Sequence, residues 1–420
     1  MSHNEDALGL LRSALERALA AADSTKILGA HLPASPKGRL CVVGAGKAAA
    51  AMAAAAEAFY KERYPDVRLE GLVVTRYGHG VPTERIRVAE ASHPVPDAAG
   101  VAATEEMIEL ARSLRDDDLL VCLISGGGSA LLCAPDGVTL AEKAALTQAL
   151  LRSGADIAEM NAVRKHLSRV KGGGLARAAF PARVVSLIMS DVAGDDLSVI
   201  ASGPTVPDPS TLEEARAVLV RYGFTVPAHL LDAAAETPKP GDPIFARAEN
   251  RLVASAQGML EAASAFFRER GVAPLILSES VTGEAREVAK MHAAIARQLR
   301  THAQPVKPPC VLLSGGETTV TVRGQGRGGR NCEFALSLAL ELAGLEGVYA
   351  LAADSDGIDG EGDAAGALVT PQTLVSMGRA EARRYLDDND AYGFFERAGG
   401  LVRTGPTLTN VNDLRLVLVF

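Results

Sequence analysis

Short apolar runs rich in Val, Ile and Leu recur along this chain, each followed by a turn bearing Gly or Asp and then by an Ala/Leu/Glu/Arg-rich stretch. This alternation is the mark of α/β architecture, because a parallel strand can be followed by another only after a crossover, usually a helix. The expected strands are Arg39–Val43, Gly71–Thr75, Asp118–Ile124, Arg183–Met189, Arg251–Ser255, Pro274–Leu277, Cys310–Leu313, Val348–Ala352 and Leu414–Phe420. Most lack polar alternation, as strands covered on both faces do. At 420 residues, and with domains of about 100–200, the chain has room for more than one such unit.

Two Pro-rich stretches, Thr237–Pro243 and Gln304–Pro309, interrupt the pattern. The first is the expected boundary. It gives a Rossmann-like, mostly parallel domain over 1–243 and a second α/β sheet domain over 244–420. Leu123-Ile-Ser-Gly-Gly-Gly-Ser129 in the first half is echoed by Leu312-Leu-Ser-Gly-Gly-Glu317 in the second.

Composition narrows the partners. Lys plus Arg number 43 against 51 Asp plus Glu, a net charge of −8, which argues against a polyanion-binding surface; nucleic acid is not expected. Trp is absent and aromatics are 4%, leaving few platforms on which bases could stack. The five cysteines are odd in number and form no C-x-x-C pair, so reduced thiols and a cytoplasmic setting are expected. Glu5, Asp6, Arg12, Glu16 and Arg17 break up any export signal, while Leu8, Leu11, Leu15 and Leu19 mark one helix face. The longest apolar run, Ala48–Ala56, is far shorter than the ~18 residues of a membrane span, so no membrane association is expected.

Several loops can carry chemistry. Gly44-Ala-Gly-Lys47 ends a strand and opens an Ala-rich helix, where backbone N–H groups can hold an anion. Its G-x-G-x-x-A spacing fits a dinucleotide loop, but the next strand ends in Thr75-Arg76, where that reading needs an acid. Lys47 in the first helical turn opposes the macrodipole and is therefore expected to face an anion. Ser125-Gly-Gly-Gly-Ser129 has the glycines for close approach to phosphate oxygens. Ser314-Gly-Gly-Glu317 reads as a hairpin corner continued by a strand over 318–322. Arg323-Gly-Gln-Gly-Arg-Gly-Gly-Arg-Asn331 reads as a flexible basic loop opening a helix, suited to closing over a transferred phosphate. Arg164 and Lys165 are held as candidates within a basic helix, and Ser92-His93 as a stiff loop able to touch ligand.

Carboxylates gather at strand ends, where open α/β sheets place their ligands. Asp191 is the best general-base or metal candidate, while Asp354 and Asp356 suit Mg²⁺ shared with phosphates and do not fit an EF-hand. Asn410-Val-Asn-Asp413 can hold a substrate or simply cap a strand. No zinc-type His pair, Walker A loop or nucleophile elbow occurs.

Taken in order, Gly44–Lys47, Ser92–Asp97, Ser125–Ser129, Asn161–Gly174, Ser190–Asp196, Ala201–Thr205, Ser314–Glu317, Gly326–Asn331, Asp354–Gly360 and Asn410–Asp413 resemble the class II glycerate kinases, the glycerate 2-kinase family with a C-terminal MOFRL domain, here about 308–420. The resemblance runs nearly end to end. It implies ATP- and Mg²⁺-dependent phosphorylation of D-glycerate at its 2-hydroxyl, in a cleft between two α/β domains, with Lys47 and Arg330 as the central basic pair. On that basis Gly44, Gly46, Ser125, Gly126, Gly127, Gly128 and Ser129 are expected at ATP with Ser314, Gly315, Gly316 and Glu317. Ser92, His93, Arg164, Lys165, Asn410, Asn412 and Asp413 are expected at D-glycerate, Asp191 as base, and Asp354 and Asp356 at Mg²⁺. Leu408 stands where the family usually has Gly. The rival readings are a hydroxypyruvate reductase using a reduced nicotinamide cofactor, and a non-catalytic metabolite sensor. A homodimer is left open.

Overall fold

A computed structural model describes residues 3–420. Its strands are β1 Leu40–Ala45, β2 Leu69–Arg76, β3 Ile86–Ala91, β4 Leu119–Ile124, β5 Arg183–Met189, β6 Ala248–Ala254, β7 Ala273–Ser278, β8 Cys310–Ser314, β9 Val348–Asp354, β10 Gly366–Val369, β11 Leu401–Val402 and β12 Asp413–Val419. They form two six-stranded sheets with helices on them, a mixed α/β architecture.

The first sheet has the order β3-β2-β1-β4-β5-β6, and β1 to β5 pair in parallel. In this order the connections reverse direction between β1 and β4, so the loops after those two strands open a crevice at the carboxyl end of the sheet. All six residues of β1 and of β4 are buried. The Ala-rich helix Ala49–Arg63 lies close on the sheet because its buried positions are mostly methyl groups. A core of Val43, Cys122, Ile124, Met107 and Ile108 fills the space beneath the helix Ala98–Arg112.

The second sheet, β11-β10-β9-β12-β8-β7, is mixed: β12 runs antiparallel to both β9 and β8, and β7 is parallel to β8. β12 is central and all seven of its residues are buried. The helix Arg330–Leu342 packs on this sheet through Phe334, Leu338 and Leu342.

The compact units are Ser24–Val253 on one hand, and Met1–Asp23 with Ala254–Phe420 on the other. The division therefore falls after Val253, beyond the Pro-rich stretch, because β6 completes the first sheet. The helix His3–Ala20 packs in the second unit, with Leu11, Ala14 and Leu15 buried.

One expected strand is absent. After Gly316 the chain makes only an isolated bridge, Glu284 with Thr319, and no strand over 318–322. Both edges of β8 are taken by β12 and β7, so a hairpin partner has nowhere to pair. Conversely, β3, β10 and β11 carry too few apolar residues to stand out: β3 is a half-exposed edge, and the other two have four and two residues. All five cysteines are free and buried. Among the described residues no helix is long and apolar enough to cross a membrane.

Candidate active site

In the first unit the loops after β1 and β4 are laid against each other. A Cβ on Gly44 would sit 2.3 Å from the Leu123 carbonyl oxygen, and one on Gly46, whose φ is +139°, 2.1 Å from Ser125 Oγ. These glycines serve the close packing of two loops. The N–H of Lys47 donates to the Gly126 carbonyl (2.8 Å) and that of Ala48 to Ser125 Oγ (3.0 Å). Donors that a pyrophosphate would need at this helix start are thus spent within the protein.

Gly127 adopts φ +80°, and a Cβ there would lie 3.1 Å from the His93 ring and 3.5 Å from Lys47 Cγ. Lys47 and His93 therefore both lie over Gly127, at the point where the strand order reverses. Burial, and then the charges of Lys47, Arg76 and His79, lower the His93 pKa to about 4, so its imidazole is neutral at pH 7. Ser129 Oγ lies 3.0 Å from Ser202 Oγ, in a turn where Ala201, Ser202 and Gly203 all have positive φ. Gly172 and Gly173 donate backbone hydrogen bonds to the Ser202 and Gly203 carbonyls and hold that strained turn.

Beyond this loop the basic helix Ile157–His166 divides its charges. Lys165 is buried on Asp208 (3.0 Å), and although burial opposes it, this ion pair holds the Asp208 carboxyl below its ordinary range. Its ammonium is thus held in the core by its own carboxylate, whereas a place at the substrate was expected for it. Arg164 is half-buried and turns to a cavity shared with Lys143 and Lys171. Asp191 follows β5, half-buried, at the carboxyl end of the same sheet.

In the second unit Arg330 opens its helix as the centre of a carboxylate cluster. Its Nε donates to Asp413 Oδ1 (2.8 Å), Nη1 to Glu317 Oε1 (2.8 Å) and Nη2 to Asp354 Oδ2 (2.7 Å). Although burial works against it, Asp413, Asp354 and Glu317 raise the Arg330 pKa. Asp413 also receives Asn331 Nδ2 (2.8 Å) and Arg415, which is fully buried in central β12 and donates to the Gly315 carbonyl (2.8 Å). Asp359 accepts the backbone N–H groups of Asn331 (2.9 Å) and Cys332 (2.7 Å), so this helix start is capped by the protein's own carboxylate.

The loop before Arg330 is fastened, contrary to the flexible lid expected from its glycines. Arg323 and Gly324 donate to Asn389 Oδ1, Gln325 to Asp388 and Arg327 to Asp390. Arg327 is stacked 4.7 Å over Tyr392. Gly324 and Gly326 approach Asp388 and Asp390 so closely that a Cβ on either would lie 2.2 Å away. The loop after β8 is likewise engaged: His292 Nε2 and Ser314 Oγ are 2.9 Å apart, Gly315 N–H donates to the Ser278 carbonyl, and a Cβ on Gly316 would meet Val281 at 2.3 Å. Val411 N–H donates to Ser355 Oγ, and Ser355 N–H to the Asn412 carbonyl, which ties the Asn410–Asn412 turn to the Asp354–Asp356 loop.

Mg²⁺ finds partial provision here. Burial, then the charges of Asp356 and Asp413, push the Asp354 carboxyl well up, against the opposing charge of Arg330. Both Asp354 oxygens are nonetheless engaged, Oδ2 by Arg330 and Oδ1 by the Asp356 N–H (3.0 Å). Among the described residues no three His, Cys, Asp or Glu side chains form a metal-holding group. A magnesium held by one or two carboxylates, with water and phosphate oxygens completing its shell, needs no such cage.

Comparison with known proteins bears on this site. Residues 10–234 match the family described as a domain of unknown function, DUF4147, and residues 310–413 match the MOFRL family. A protein of Thermotoga maritima named D-glycerate 2-kinase is 44% identical over 92% of this chain and 92% of its own. This chain belongs to the class II glycerate kinases. Within the class II glycerate kinases the fold is shared closely: the crystal structure of the Thermotoga maritima glycerate kinase superposes with a TM-score of 0.90 at 41% identity, covering 99% of this chain and 100% of that one. A relative from Agrobacterium vitis, 53% identical over 98% of this chain and 94% of its own, is provisionally named a hydroxypyruvate reductase.

For this class II glycerate kinase chain, sequence reasoning gathered Lys47, His93 and Gly127 in one unit, and Arg330, Glu317, Asp354 and Asp413 in the other. It missed Lys143 and Arg415, and it pointed to Asn331 and Asp359 only as members of their loops, without a role. Arg415 had a signal: a lone cation inside the run Leu414–Val419 must be buried and paired.

Proposed function

We propose that the protein transfers the terminal phosphoryl group of ATP to the 2-hydroxyl of D-glycerate, giving 2-phospho-D-glycerate and ADP. The observation that carries this reading is the placement of Lys47 and a neutral His93 over Gly127 at the reversal point of the first sheet. Phosphoryl transfer is catalysed by positioning and by neutralising charge, and Lys47 brings a cation to the end of the sheet where ligands bind. Neutral His93, with Ser92, orients the hydroxyls of glycerate as hydrogen-bond partner without repelling Lys47. Asp191 accepts the proton of the attacking hydroxyl. Arg330 keeps two of its five N–H donors beyond the three engaged by carboxylates, and those serve the transferred phosphoryl oxygens. Asp354 and Asp356 would hold Mg²⁺, which when bound offsets charge on the phosphate oxygens.

A nicotinamide-dependent reduction of hydroxypyruvate has in its favour the strand order of the first sheet and the name given to the Agrobacterium vitis relative. Against it stand the N–H groups of Lys47 and Ala48, already bonded within the protein, and Arg76 at the end of β2 where a ribose-binding acid belongs. The deciding experiment incubates the purified protein with D-glycerate, ATP and Mg²⁺, quenches, and adds enolase alone, beside a sample with hydroxypyruvate and NAD(P)H. Phosphoenolpyruvate formed without a mutase supports the kinase reading. Nicotinamide oxidation with no ATP consumed overturns it.

A further inference from the structure

Within the first unit, at the far end of the Ser125–Ser129 loop from Lys47, lies a cavity of about 440 Å³, inside the ~300–1,000 Å³ range of small-ligand sites. Three cations line it: Lys143, Arg164 and Lys171. Both lysines are buried, with 7% and 2% exposure, yet their ammonium groups meet only neutral carbonyls, Lys143 that of Leu167 and Lys171 that of Ser129 (2.8 Å). Among the described residues none of the three pairs with a carboxylate. Asp136, the acidic group whose charge reaches Lys143, lies against His229 at 3.6 Å.

Burying unpaired cations is costly, and proteins ordinarily pair them, as this one pairs Lys165 with Asp208 in the same helical region. The rest of the lining is of another kind. Val95, Leu140 and Leu151 form apolar wall, and Val95 and Leu151 are 61% and 64% exposed, large apolar surfaces left to water. One carboxylate would answer one cation; three cations around an apolar space call for several phosphates on a body that buries an apolar face. Ser129 and Gly127 are two residues apart, no more than about 7 Å along the chain, so a triphosphate entering over Ser129 reaches the loop position under Lys47.

We propose that this cavity is the nucleoside triphosphate site, with Lys143, Arg164 and Lys171 holding the phosphates and the Val95, Leu140 and Leu151 wall taking the base. The assignment rests on the kinase reading for its choice of nucleotide and moves the donor away from the glycines of the β1 loop. It also accounts for the ammonium groups: burial lowers the Lys143 pKa to about 8, and burial with the charges of Arg164 and Lys143 lowers that of Lys171 well below its usual value. Cys133 acts on both lysines, and Asp136 on Lys143, in the opposite direction. A polyphosphate seated there restores their protons, so binding takes up protons near pH 8.

The test is calorimetric titration of the full chain with Mg²⁺ and a non-hydrolysable ATP analogue, in two buffers of different ionisation enthalpy, for wild type, Arg164→Met and Lys171→Met. Arg164 is half-buried, so its variant keeps the test available if Lys171→Met fails to fold. Each substitution is expected to weaken the analogue about tenfold or more, with the KM for D-glycerate changed less than about threefold, and the wild type to take up protons on binding. Unchanged analogue affinity in both variants overturns the assignment, as does a rise confined to the KM for D-glycerate, which would make the cavity the acceptor site. Wild type that binds the analogue in this way but yields no product with enolase supports the cavity and sinks the kinase reading alone.

Discussion

The two units solve the burial of charge in opposite ways. In the second, Arg330 is bonded to Asp413, Glu317 and Asp354, and Arg415 to Asp413, with Asn331 and Asp359 joined to the same cluster, in which Arg415 Nε and Asn331 Oδ1 stay without a partner among the described residues. In the first, Lys143, Arg164 and Lys171 share a cavity without a carboxylate. A cluster whose cations carry their own carboxylates is a scaffold, rigid because each member holds the next. A cluster lacking its counter-charge is half of an interaction, and the other half is the ligand.

This contrast is broken most strongly at Arg330. Arg330→Ala should lower kcat by about 10²-fold or more and, by leaving Asp354 buried without its cation and Asp413 with Arg415 alone, destabilise the fold by about 3–5 kcal/mol. Lys47→Ala should match the loss of kcat while leaving the denaturant midpoint near wild type, since Lys47 is half-buried in a turn at the end of the first sheet and is not part of the Arg330 cluster. Equal destabilisation by both would erase the distinction between scaffold and ligand-facing cation. Next comes Gly127→Ala, which combines a φ of +80° with a Cβ at 3.1 Å from the His93 ring. A stability loss of about 1–2 kcal/mol should accompany a loss of activity, and wild-type turnover would show that Lys47 and His93 need no such packing.

Stability against pH separates the paired from the unpaired lysines. The folded pKa of Lys143, about 8, lies below its unfolded value of about 10.4. Between those values the unfolded chain binds more protons, so stability rises with pH. Lys143→Met should remove that rise, and an unaltered slope would mean the ammonium is already paired. Asp208, held low beside Lys165, has the reverse sign: its stabilisation is present above the ordinary carboxyl pKa and lost as pH falls through the depressed one. Asp208→Asn should flatten the acid side of the curve. The smallest effect is at Leu408, whose φ of +57° is one that glycine adopts freely. Leu408→Gly should gain at most about 1 kcal/mol, read as a small rise in Tm.

The sequence made the α/β class legible because strands buried on both faces are apolar throughout, as β1, β4 and β12 are apart from Asp413 and Arg415. It singled out Lys47 and Arg330 as cations after glycine-rich turns; Arg330 is the first residue of its helix, whereas Lys47 lies in the turn two residues before Ala49, not in the first helical turn expected for it. The state of the glycine loops was hidden. Gly324 and Gly326 look like flexibility in a sequence, whereas here they let the loop lie against Asp388 and Asp390 from far along the chain. Lys143 was hidden as well, since a lysine among Leu140, Ala144 and Leu151 reads as an ordinary surface charge until the fold buries it. Long-range pairing decides such cases, and spacing along the chain carries no trace of it.

The most direct measurement for the central claim is ³¹P NMR of the product formed from D-glycerate, ATP and Mg²⁺ by wild type and Lys47→Ala at equal protein concentration. Resonances of 2-phosphoglycerate and ADP are expected with wild type, and neither above background with the variant. A 3-phosphoglycerate resonance, or equal product from Lys47→Ala, would contradict that claim.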